Sequence, residues 1–586
     1  MSNRVSYALV VVLLLLAALL RFANLGTLPP GFSDAELDNI RIAETVRQGR
    51  VEAFYPVLGE GREGLYQGLV TIATGTGGGL IGYRILSIWL GMVTLALVYA
   101  LGKRLFGALA GLAAVALLAV SMFPIILARS VTPETALPLF VTAVLLALAY
   151  SLAVSGEQPN IQSRTAAFAA LGILLGLGFY LHPISFVVTL FSMLFIVSVV
   201  FTRRSMSRRT LSYTWFAVVI MIVIATPYVI SSLQRPELAA AGRLIVNDPT
   251  KSLLDSFTSG LNGWFFVGDS NPAVNLPGRP LIDLVSGLFV IVGLVMALRG
   301  WRHSRYALIL LALLFLIPPA LLAPSSPNFL AFAPLLPLIA LLFGLGVTTI
   351  LGSLPRSSRS VAVIGLVLLL GFNVAWASRD MFTNWANLPE MQTAYNVRLG
   401  QLAHYIDQTA ATTPTVICTA NLNPQNNPVN LTNTQILALM MHREDVILRY
   451  ADCGTALILT EGGSREQVIL TEASGLVGVN PYLREWLDQG ELINHDGLPQ
   501  DAVIILDVAD VLANRIGAFT TTAPVAFDLQ TRGGGQQVIP PPVRFGGNIA
   551  FLGYDHTWAS TYTPGDVVPV TTYWRVDGTV PADLRL

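Results

Sequence analysis

The sequence has little charge and almost no cysteine. Only 12% of its 586 residues are charged, whereas 53% are hydrophobic, and a soluble globular protein carries about 25% charged residues. The 35 basic and 35 acidic residues cancel and form no basic face, so no nucleic-acid partner is expected. Two cysteines, Cys418 and Cys453, are too few for a disulfide scaffold or a cysteine-based zinc site. The composition predicts a polytopic membrane protein with a soluble part attached.

The sequence also lacks the motifs of common soluble enzymes. It contains no Walker glycine-rich loop, no His-Glu-x-x-His and no Gly-x-Ser-x-Gly. The loops that we predict on the cytoplasmic side are short and show no nucleotide site. These absences argue against an ATP-driven transporter and against an enzyme that takes a nucleotide-sugar from the cytosol.

Long apolar runs recur from the N-terminus to about residue 377. Runs of roughly 17–25 residues have the length that a bilayer core requires. We predict about eleven spans, near residues 6–22, 82–102, 107–128, 135–154, 166–182, 184–202, 211–233, 281–299, 306–323, 329–351 and 360–377. A signal peptide is the alternative for the first run, but no small-residue cleavage site follows it, so we interpret it as an uncleaved anchor.

Basic residues are concentrated on one predicted side of the membrane. If the N-terminus is cytoplasmic, the cytoplasmic loops collect nearly all of them, and the short loops of the opposite side hold only Arg129. This bias predicts a multi-pass protein of the cell membrane with a cytoplasmic N-terminus. It places residues 23–81, residues 234–280 and the tail after residue 377 on the outer face.

The tail differs in composition from the predicted membrane domain of residues 1–377. A helical pattern at 402–406 and apolar strands at 416–418, 456–459 and 503–506 predict an extracytoplasmic α/β domain over 378–515. Alternating segments at 549–554 and 567–574 suggest a β-sandwich over 516–586. Because two or three strands do not form a stable sheet alone, we expect this sandwich to be truncated or completed by another chain. Cys418 and Cys453 are either paired or two buried thiols.

Two carboxylates lie one residue apart in the first predicted outer loop. Asp34 and Glu36 come directly before a helical stretch at residues 37–46, so they lie at a helix N-terminus, where the dipole favours anions. One interpretation is structural, with Ser33 or Asp34 as the N-cap. The other is functional, either in catalysis or as oxygen ligands of a divalent cation.

Further ionisable residues lie at the predicted outer ends of the spans. Arg129 suits a phosphate, since its planar fork donates two hydrogen bonds, and interfacial snorkelling is the alternative. Glu134 follows in the same short loop. Arg62 and Glu63 form either a charged surface turn or part of a site. His182 is either a lone interfacial histidine or a site residue.

Four stretches of the sequence resemble the GT-C superfamily of integral membrane glycosyltransferases. They are the acidic motif at 34–36 with Gly-Arg-Glu at 61–63, residues 83–107, residues 128–140, and GDSNPAVNLPGRPLID at 268–283. The segment from Asn384 to Tyr395 is similar as well. The branch that the sequence resembles contains bacterial protein O-mannosyltransferase-like and aminoarabinose-transferase-like proteins. The resemblance implies a mainly α fold, a GT-C bundle of about eleven transmembrane helices followed by the α/β domain and the partial sandwich.

The resemblance also implies an activity, the transfer of a sugar from a polyprenyl-phosphate donor to an acceptor hydroxyl, with inversion. Asp34 is then the general base and Glu36 a supporting acid. Substrate- or phosphate-binding roles are implied for the remaining candidates, Arg62, Glu63, Arg129, Glu134, His182, Asp269, Asn271, Asn275 and Arg279. No cofactor is required, and a divalent metal is optional. The expected partners are the lipid-linked donor, membrane lipid and an acceptor that is a protein, a lipid or a glycan.

The sequence departs from this group in three places. Ala35 separates two acids that are adjacent in relatives, no basic residue stands in 325–332, and Val274 takes a position where a basic or imidazole side chain is common. A non-catalytic scaffold that binds polyprenyl lipid or glycan is therefore kept as the alternative function. A secondary transporter fits less well, because charged residues are almost absent from the span interiors.

Overall fold

The protein is described from a computed structural model. It describes residues 3–57, 60–75, 79–155, 161–202, 208–237, 252–323, 325–420, 422, 431–443, 445–460, 465–472, 474–494, 497–512, 525–527, 537–539, 542–545, 548–556, 563, 570–576 and 578. The chain forms two compact units, one of Met1–Gly400 with Gln425–Leu431 and one of Gln401–Pro424 with Thr432–Leu586.

The first unit is helical. Its helices are α1 (Asn3–Phe22), α2 (Asp34–Arg47), α3 (Leu65–Thr74), α4 (Gly79–Phe106), α5 (Ala108–Val120), α6 (Met122–Leu127), α7 (Leu137–Ser151), α8 (Ile161–Gly178), α9 (Ile184–Thr202), α10 (Arg208–Gln234), α11 (Leu253–Phe265), α12 (Leu284–Arg299), α13 (Ser304–Leu321), α14 (Phe329–Phe332), α15 (Leu336–Ser353), α16 (Arg356–Arg379) and α17 (Glu390–Ala394). Strands β1 (Phe54–Val57) and β2 (Glu60–Glu63) form an antiparallel hairpin.

The helices confirm the predicted polytopic membrane protein. Seven helices of the described residues are long and apolar enough to cross a bilayer, and Ala108–Val120, Ile184–Val200 and Leu284–Arg299 are shorter apolar helices. The remaining predicted span, 166–182, coincides with α8. Outside these spans, α2, the hairpin and α3 occupy the first predicted outer loop, and α11 occupies the second.

Burial distinguishes helices at the centre of the first unit from those at its edge. Within an 18-residue apolar window of Phe329–Ser353, 89% of the residues are buried, whereas in the window of Arg356–Trp385, which contains α16, only 11% are buried. Central packing depends on small residues, since a Cβ at Gly293 of α12 would collide with the carbonyl of Leu342, and one at Gly346 of α15 with that of Phe289. Close approach of backbones is typical of membrane helices, which gain stability from van der Waals packing. The exposed apolar sides of α16 suit lipid.

The second unit contains a mixed sheet. Helix α18 (Val397–Thr409) begins in the first unit and continues into the second, where α19 (Asn433–Met440) and α20 (Pro481–Leu487) follow. The strands are β3 (Thr415–Cys418), β4 (Leu448–Ala451), β5 (Glu466–Leu470), β6 (Glu491–Leu492) and β7 (Val503–Leu506), in the order β4-β3-β5-β7-β6. Strand β3 pairs in parallel with β4 and β5, and β7 pairs antiparallel with β5 and β6.

The last described strands form two small antiparallel sheets. Strand β8 (Val525–Phe527) pairs with β9 (Gln537–Ile539), and β11 (Ile549–His556) lies between β10 (Val543–Phe545) and β12 (Val570–Val576). Strands β11 and β12 agree with the predicted segments 549–554 and 567–574. A sandwich of two facing sheets stays a prediction for 516–586.

The structure decides three points about the tail that the sequence had predicted differently or left open. The predicted strand at 456–459 is wrong, because its apolar side chains pack on the core of the second unit without joining the sheet. The boundary between the units falls at residue 400 rather than 377, because Trp385 and Tyr395 are fully buried in the first unit. Cys418 and Cys453 form a disulfide with a Cα–Cα distance of 5.3 Å.

Candidate active site

A cavity of about 250 Å³ lies in the first unit at the beginning of α2. Its walls come from five parts of the chain: the α2 N-terminus, α6 with the loop after it, the loop at 271–274, helix α14 and helix α17. The lining is mainly apolar, from Ala35, Phe123, Ile126, Leu127, Ala273, Val274, Leu330 and Ala394. Polar groups line it at Ser33, Asp34, Ser130, Thr132 and Asn271. Concave apolar pockets with a few polar groups are typical of ligand sites.

Asp34 is the single ionisable residue among the described residues that line this cavity. It is the first residue of α2 and is exposed. Its Oδ1 accepts a hydrogen bond of 2.9 Å from Nδ2 of Asn396. The helix N-terminus favours the negative charge. Asp34 is therefore accessible to a molecule in the cavity and is placed to accept a proton.

Glu36 has a different environment from Asp34, although it lies only two residues further on. It is 1% exposed and forms a capping box with Ser33. Its Oε2 accepts from the Ser33 backbone N–H at 2.9 Å, and its Oε1 accepts from the Val131 backbone N–H at 2.9 Å. Nη2 of Arg84 lies 3.8 Å from Oε2. These contacts engage both carboxylate oxygens of Glu36 in a buried position, which favours a structural role, and its supporting role in catalysis stays a prediction.

Two buried arginines hold the loops behind the cavity. Arg129 donates to the backbone carbonyls of Leu20, Ala23 and Leu28, at 3.3, 2.6 and 2.7 Å. Both it and Arg84 are fully buried.

Arg84 donates to the backbone carbonyls of Pro29 and Gly31. The hydrogen bonds of these two arginines fix the chain between α1 and α2. Arg129 is thus neither snorkelling at an interface nor directed at the cavity. Its phosphate-binding role stays a prediction that these contacts do not favour.

A second set of polar side chains lies on and near the first turns of α2. Asp38 lies one turn after Asp34 and pairs with Arg41 at 3.3 Å. Burial raises the pKa of Asp38, and the charges of Arg62 and Arg41 oppose this shift. Arg62 also acts electrostatically on His182.

Glu134 and His182 approach each other in this neighbourhood. Nε2 of His182 lies 3.9 Å from Oε1 of Glu134. The structure thus brings Arg62 of strand β2 into the neighbourhood of Glu134 and His182, which come from two other segments. Glu63, in contrast, is buried and accepts a hydrogen bond of 3.3 Å from the hydroxyl of Tyr228.

The loop at 268–283 is built mainly from its own hydrogen bonds. Asp269 accepts from the backbone N–H groups of Asn271 and Phe329, both at 2.8 Å. Asn275 donates to the carbonyls of Asp269 and Arg279, at 3.1 and 2.8 Å. Burial raises the pKa of Asp269, and the two N–H donors oppose the shift. Asp269 and Asn275 therefore shape the loop.

Arg279 forms a buried ion pair in the same region. Its Nε lies 2.7 Å from Oδ2 of Asp380, and its guanidinium stacks over Trp376 at 4.2 Å. Of the predicted residues in this loop, only Asn271 lines the cavity, where Val274 is also found. Val274 leaves this wall apolar at the position where the resemblance leads one to expect a basic or imidazole side chain.

Sequence reasoning missed Asn396 and gave no role to Arg84. Arg84 lies inside a stretch that carries the family resemblance, but its burial could not be read from the sequence. Asn396 directly follows the similar segment that ends at Tyr395, and its φ of 50° is a conformation that asparagine tolerates better than most residues. Among the described residues, no group of three or more His, Cys, Asp or Glu side chains could hold a metal ion.

Comparisons with known proteins agree with this architecture. Residues 69–230 match the family of dolichyl-phosphate-mannose-protein mannosyltransferases. The apo structure of ArnT from Cupriavidus metallidurans is 13% identical, with a TM-score of 0.52 over 87% of this chain and 99% of that chain. The structure of the same protein bound to undecaprenyl phosphate is 13% identical, with a TM-score of 0.52 over 86% of this chain and 98% of that chain. No curated protein sequence matches.

This chain has the fold of the GT-C glycosyltransferases. The predicted superfamily and the predicted multi-pass membrane architecture are thereby confirmed. The family matched by residues 69–230 is one of mannosyltransferases, in agreement with the predicted enzyme class. The roles of individual residues in this GT-C fold are proposals, since the likeness to ArnT concerns the fold.

Proposed function

We propose that the chain transfers a sugar from a polyprenyl-phosphate donor to an acceptor hydroxyl at the outer face of the cytoplasmic membrane. The matched family is named for a dolichyl-phosphate sugar donor. The structure of ArnT with undecaprenyl phosphate shows that this fold accommodates a polyprenyl-phosphate lipid in that protein. The orientation rests on the distribution of basic residues, which assigns the N-terminus to the cytoplasm.

The observation that carries the proposal is the contrast between the two acids of the first outer loop. Asp34 is exposed and lines the cavity, whereas every contact of Glu36 described above is to the protein itself. A general base must reach the proton that it removes. Asp34 meets this requirement, and we assign it as the base.

The proposed reaction is a single displacement. The acceptor hydroxyl gives its proton to Asp34, and its oxygen forms a bond to the anomeric carbon. The bond from that carbon to the phosphate oxygen breaks at the same time, and the lipid phosphate leaves with the electron pair. Attack from the side opposite the phosphate inverts the anomeric configuration. The displacement as written requires no cofactor.

Hydroxyl and amide groups offer hydrogen bonds to the sugar. Ser130, Thr132 and Asn271 line the cavity together with Asp34. The described lining holds no basic side chain, so the negative charge of the phosphate needs a cation from outside this wall. Arg62 is the candidate, because it lies close enough to α2 to act on Asp38.

The test is sugar transfer in reconstituted vesicles. Purified protein is given a panel of polyprenyl-phosphate hexoses and pentoses with envelope extract as acceptor, and released lipid phosphate is measured. We expect Asp34→Asn to lower the rate by about 10²–10⁴ without changing the folded fraction. Wild-type protein that releases no lipid phosphate from any donor, or Asp34→Asn protein that keeps full activity, would support the non-catalytic scaffold instead.

The proposed orientation is tested separately by cysteine labelling in intact cells. Ser357 lies in the first turn of α16, on the predicted cytoplasmic side. Asn387 follows the end of α16, on the predicted outer side. Both are exposed, and the natural cysteines are paired. A membrane-impermeant maleimide is expected to label Asn387→Cys and not Ser357→Cys. The reverse pattern would exclude an outer-face active site.

A further inference from the structure

Asn396 is the residue that holds the proposed base. Its side-chain amide donates two hydrogen bonds, one of 2.9 Å to Oδ1 of Asp34 and one of 3.1 Å to the backbone carbonyl of Phe32. The two acceptors lie on either side of Ser33, directly at the start of α2. Asn396 comes from a segment more than 350 residues away in sequence, with separations of 362 and 364 residues to its acceptors.

The backbone around Asn396 is fixed by its neighbours. Tyr395 is fully buried, and its hydroxyl donates to the carbonyl of Ala273 at 2.7 Å. Gly31 packs so closely on the carbonyl of Tyr395 that a Cβ there would collide with it. The carbonyl of Asn396 accepts from the Gly400 N–H at 3.0 Å in the first turn of α18. These contacts leave the amide of Asn396 with a defined direction.

We propose that Asn396 is a positioning residue for sugar transfer, which orients the carboxylate of Asp34. This inference rests on the proposed role of Asp34 as the base. One oxygen of the carboxylate is held by the amide, and the described residues give no hydrogen bond to the other oxygen, Oδ2. A donor to the charged form of an acid favours that form. Asn396 therefore leaves Oδ2 free to take the proton of the acceptor hydroxyl.

Two substitutions separate this role from a structural one. Asn396→Gly removes the amide and tolerates the φ of 50° without strain. Asn396→Asp keeps the shape but replaces the donor with a second negative charge beside Asp34. The matched control is Asn24→Gly, because Asn24 is exposed, has a φ of 54° and lies outside the cavity lining.

The experiment measures kcat and KM for transfer against pH in reconstituted vesicles, with thermal midpoints in detergent. A displaced catalytic group costs on the order of 100-fold in rate, and we expect a loss of this size in kcat for Asn396→Gly with little change in the donor KM. Without the amide, the acidic limb of the kcat/KM profile is expected to move to higher pH. Asn396→Asp should move it further, since a like charge disfavours ionisation. Asn24→Gly should match wild type.

Failure of this inference is distinguishable from failure of the proposed function. If wild type is active and Asp34→Asn is inactive, but Asn396→Gly keeps the wild-type kcat and pH profile, Asn396 has no positioning role. If Asn396→Gly lowers the thermal midpoint but leaves the pH profile of transfer unchanged, the inference is also overturned, because Asn396 then has a structural role only. If Asp34→Asn remains active, the assignment of the base itself is wrong.

Discussion

The wall of the cavity and the layer directly behind it use similar residues in opposite ways. Asp34 in the wall is exposed, and its one described side-chain partner is an asparagine amide. Glu36, Arg84 and Arg129 in the buried layer are at most 1% exposed. Glu36 and Arg84 approach each other, Ser33 and the Val131 N–H donate to Glu36, and both arginines donate to backbone carbonyls. A buried charge is costly unless it is paired and hydrogen-bonded. Charged residues two positions apart can thus serve either chemistry or architecture, and only their partners show which.

The largest effect is expected at the ion pair of Arg279, a second buried charged group. Arg279→Met leaves Asp380 without its cation, and breaking a buried pair costs about 3–5 kcal/mol. Denaturant titration in detergent measures this loss. Asp380→Asn in the same chain should recover part of it, since it removes the unpaired charge. A higher donor KM at unchanged stability would instead make Arg279 a substrate residue.

A large side chain that fills the cavity should slow sugar transfer strongly, although it leaves the charged residues of the site unchanged. Ala394 lines the cavity, and Thr393 is its exposed neighbour in α17. We expect Ala394→Phe to slow transfer by on the order of 100-fold, because the substrate is displaced from the base. Thr393→Phe serves as the control of equal size and should be neutral. Equal activity of both variants would show that the substrate does not enter this cavity.

Glu36→Gln should affect stability more than chemistry. The substitution removes the negative charge beside Arg84 and leaves buried donors unsatisfied, at a cost of about 1–3 kcal/mol. Asp34→Asn, at an exposed position, should change the free energy of unfolding by only about 0.5 kcal/mol. The transfer rate per folded molecule should fall more in Asp34→Asn than in Glu36→Gln. A stable but inactive Glu36→Gln protein would instead identify Glu36 as a catalytic acid.

The smallest effect concerns a buried acid in the second unit. Glu466 is fully buried like Glu36, but its Oε2 accepts from the backbone N–H and the hydroxyl of Thr460, both at 2.6 Å. Burial raises the pKa of Glu466, and the Thr460 donors oppose the shift. The folded state therefore holds its proton to higher pH than the unfolded state.

This raised pKa predicts the sign of a pH effect. The contribution of Glu466 to stability is greatest below its unfolded pKa and falls as the pH rises toward the folded pKa. Hydrogen exchange at residues 466–470 in the full chain should accelerate over that range in wild type and less in Glu466→Gln. Equal pH dependence in both proteins would show that this carboxyl does not control the local opening.

Much of the fold could be predicted from the sequence. Apolar runs of bilayer length located the spans, because a membrane requires continuous apolar helices and leaves few alternatives. The strands at β3, β7 and β11 followed from apolar and alternating patterns. The segment 456–459 has the same apolar character but packs on the core of the second unit outside the described strands, a difference that the local pattern could not reveal.

The sequence by itself determined the class of the protein, its helices and the region that holds the acids. The tertiary structure alone decided which acid reaches the cavity. Asp34 and Glu36 are two positions apart on α2, and the Val131 N–H, Arg84 and Asn396 that distinguish them come from other segments of the chain. Contacts between segments that are far apart in sequence, up to 362 positions for Asn396 and Asp34, leave no periodic signal in a chain. They arise only when the loops have been packed on the helices, and this packing gives each carboxylate its partners.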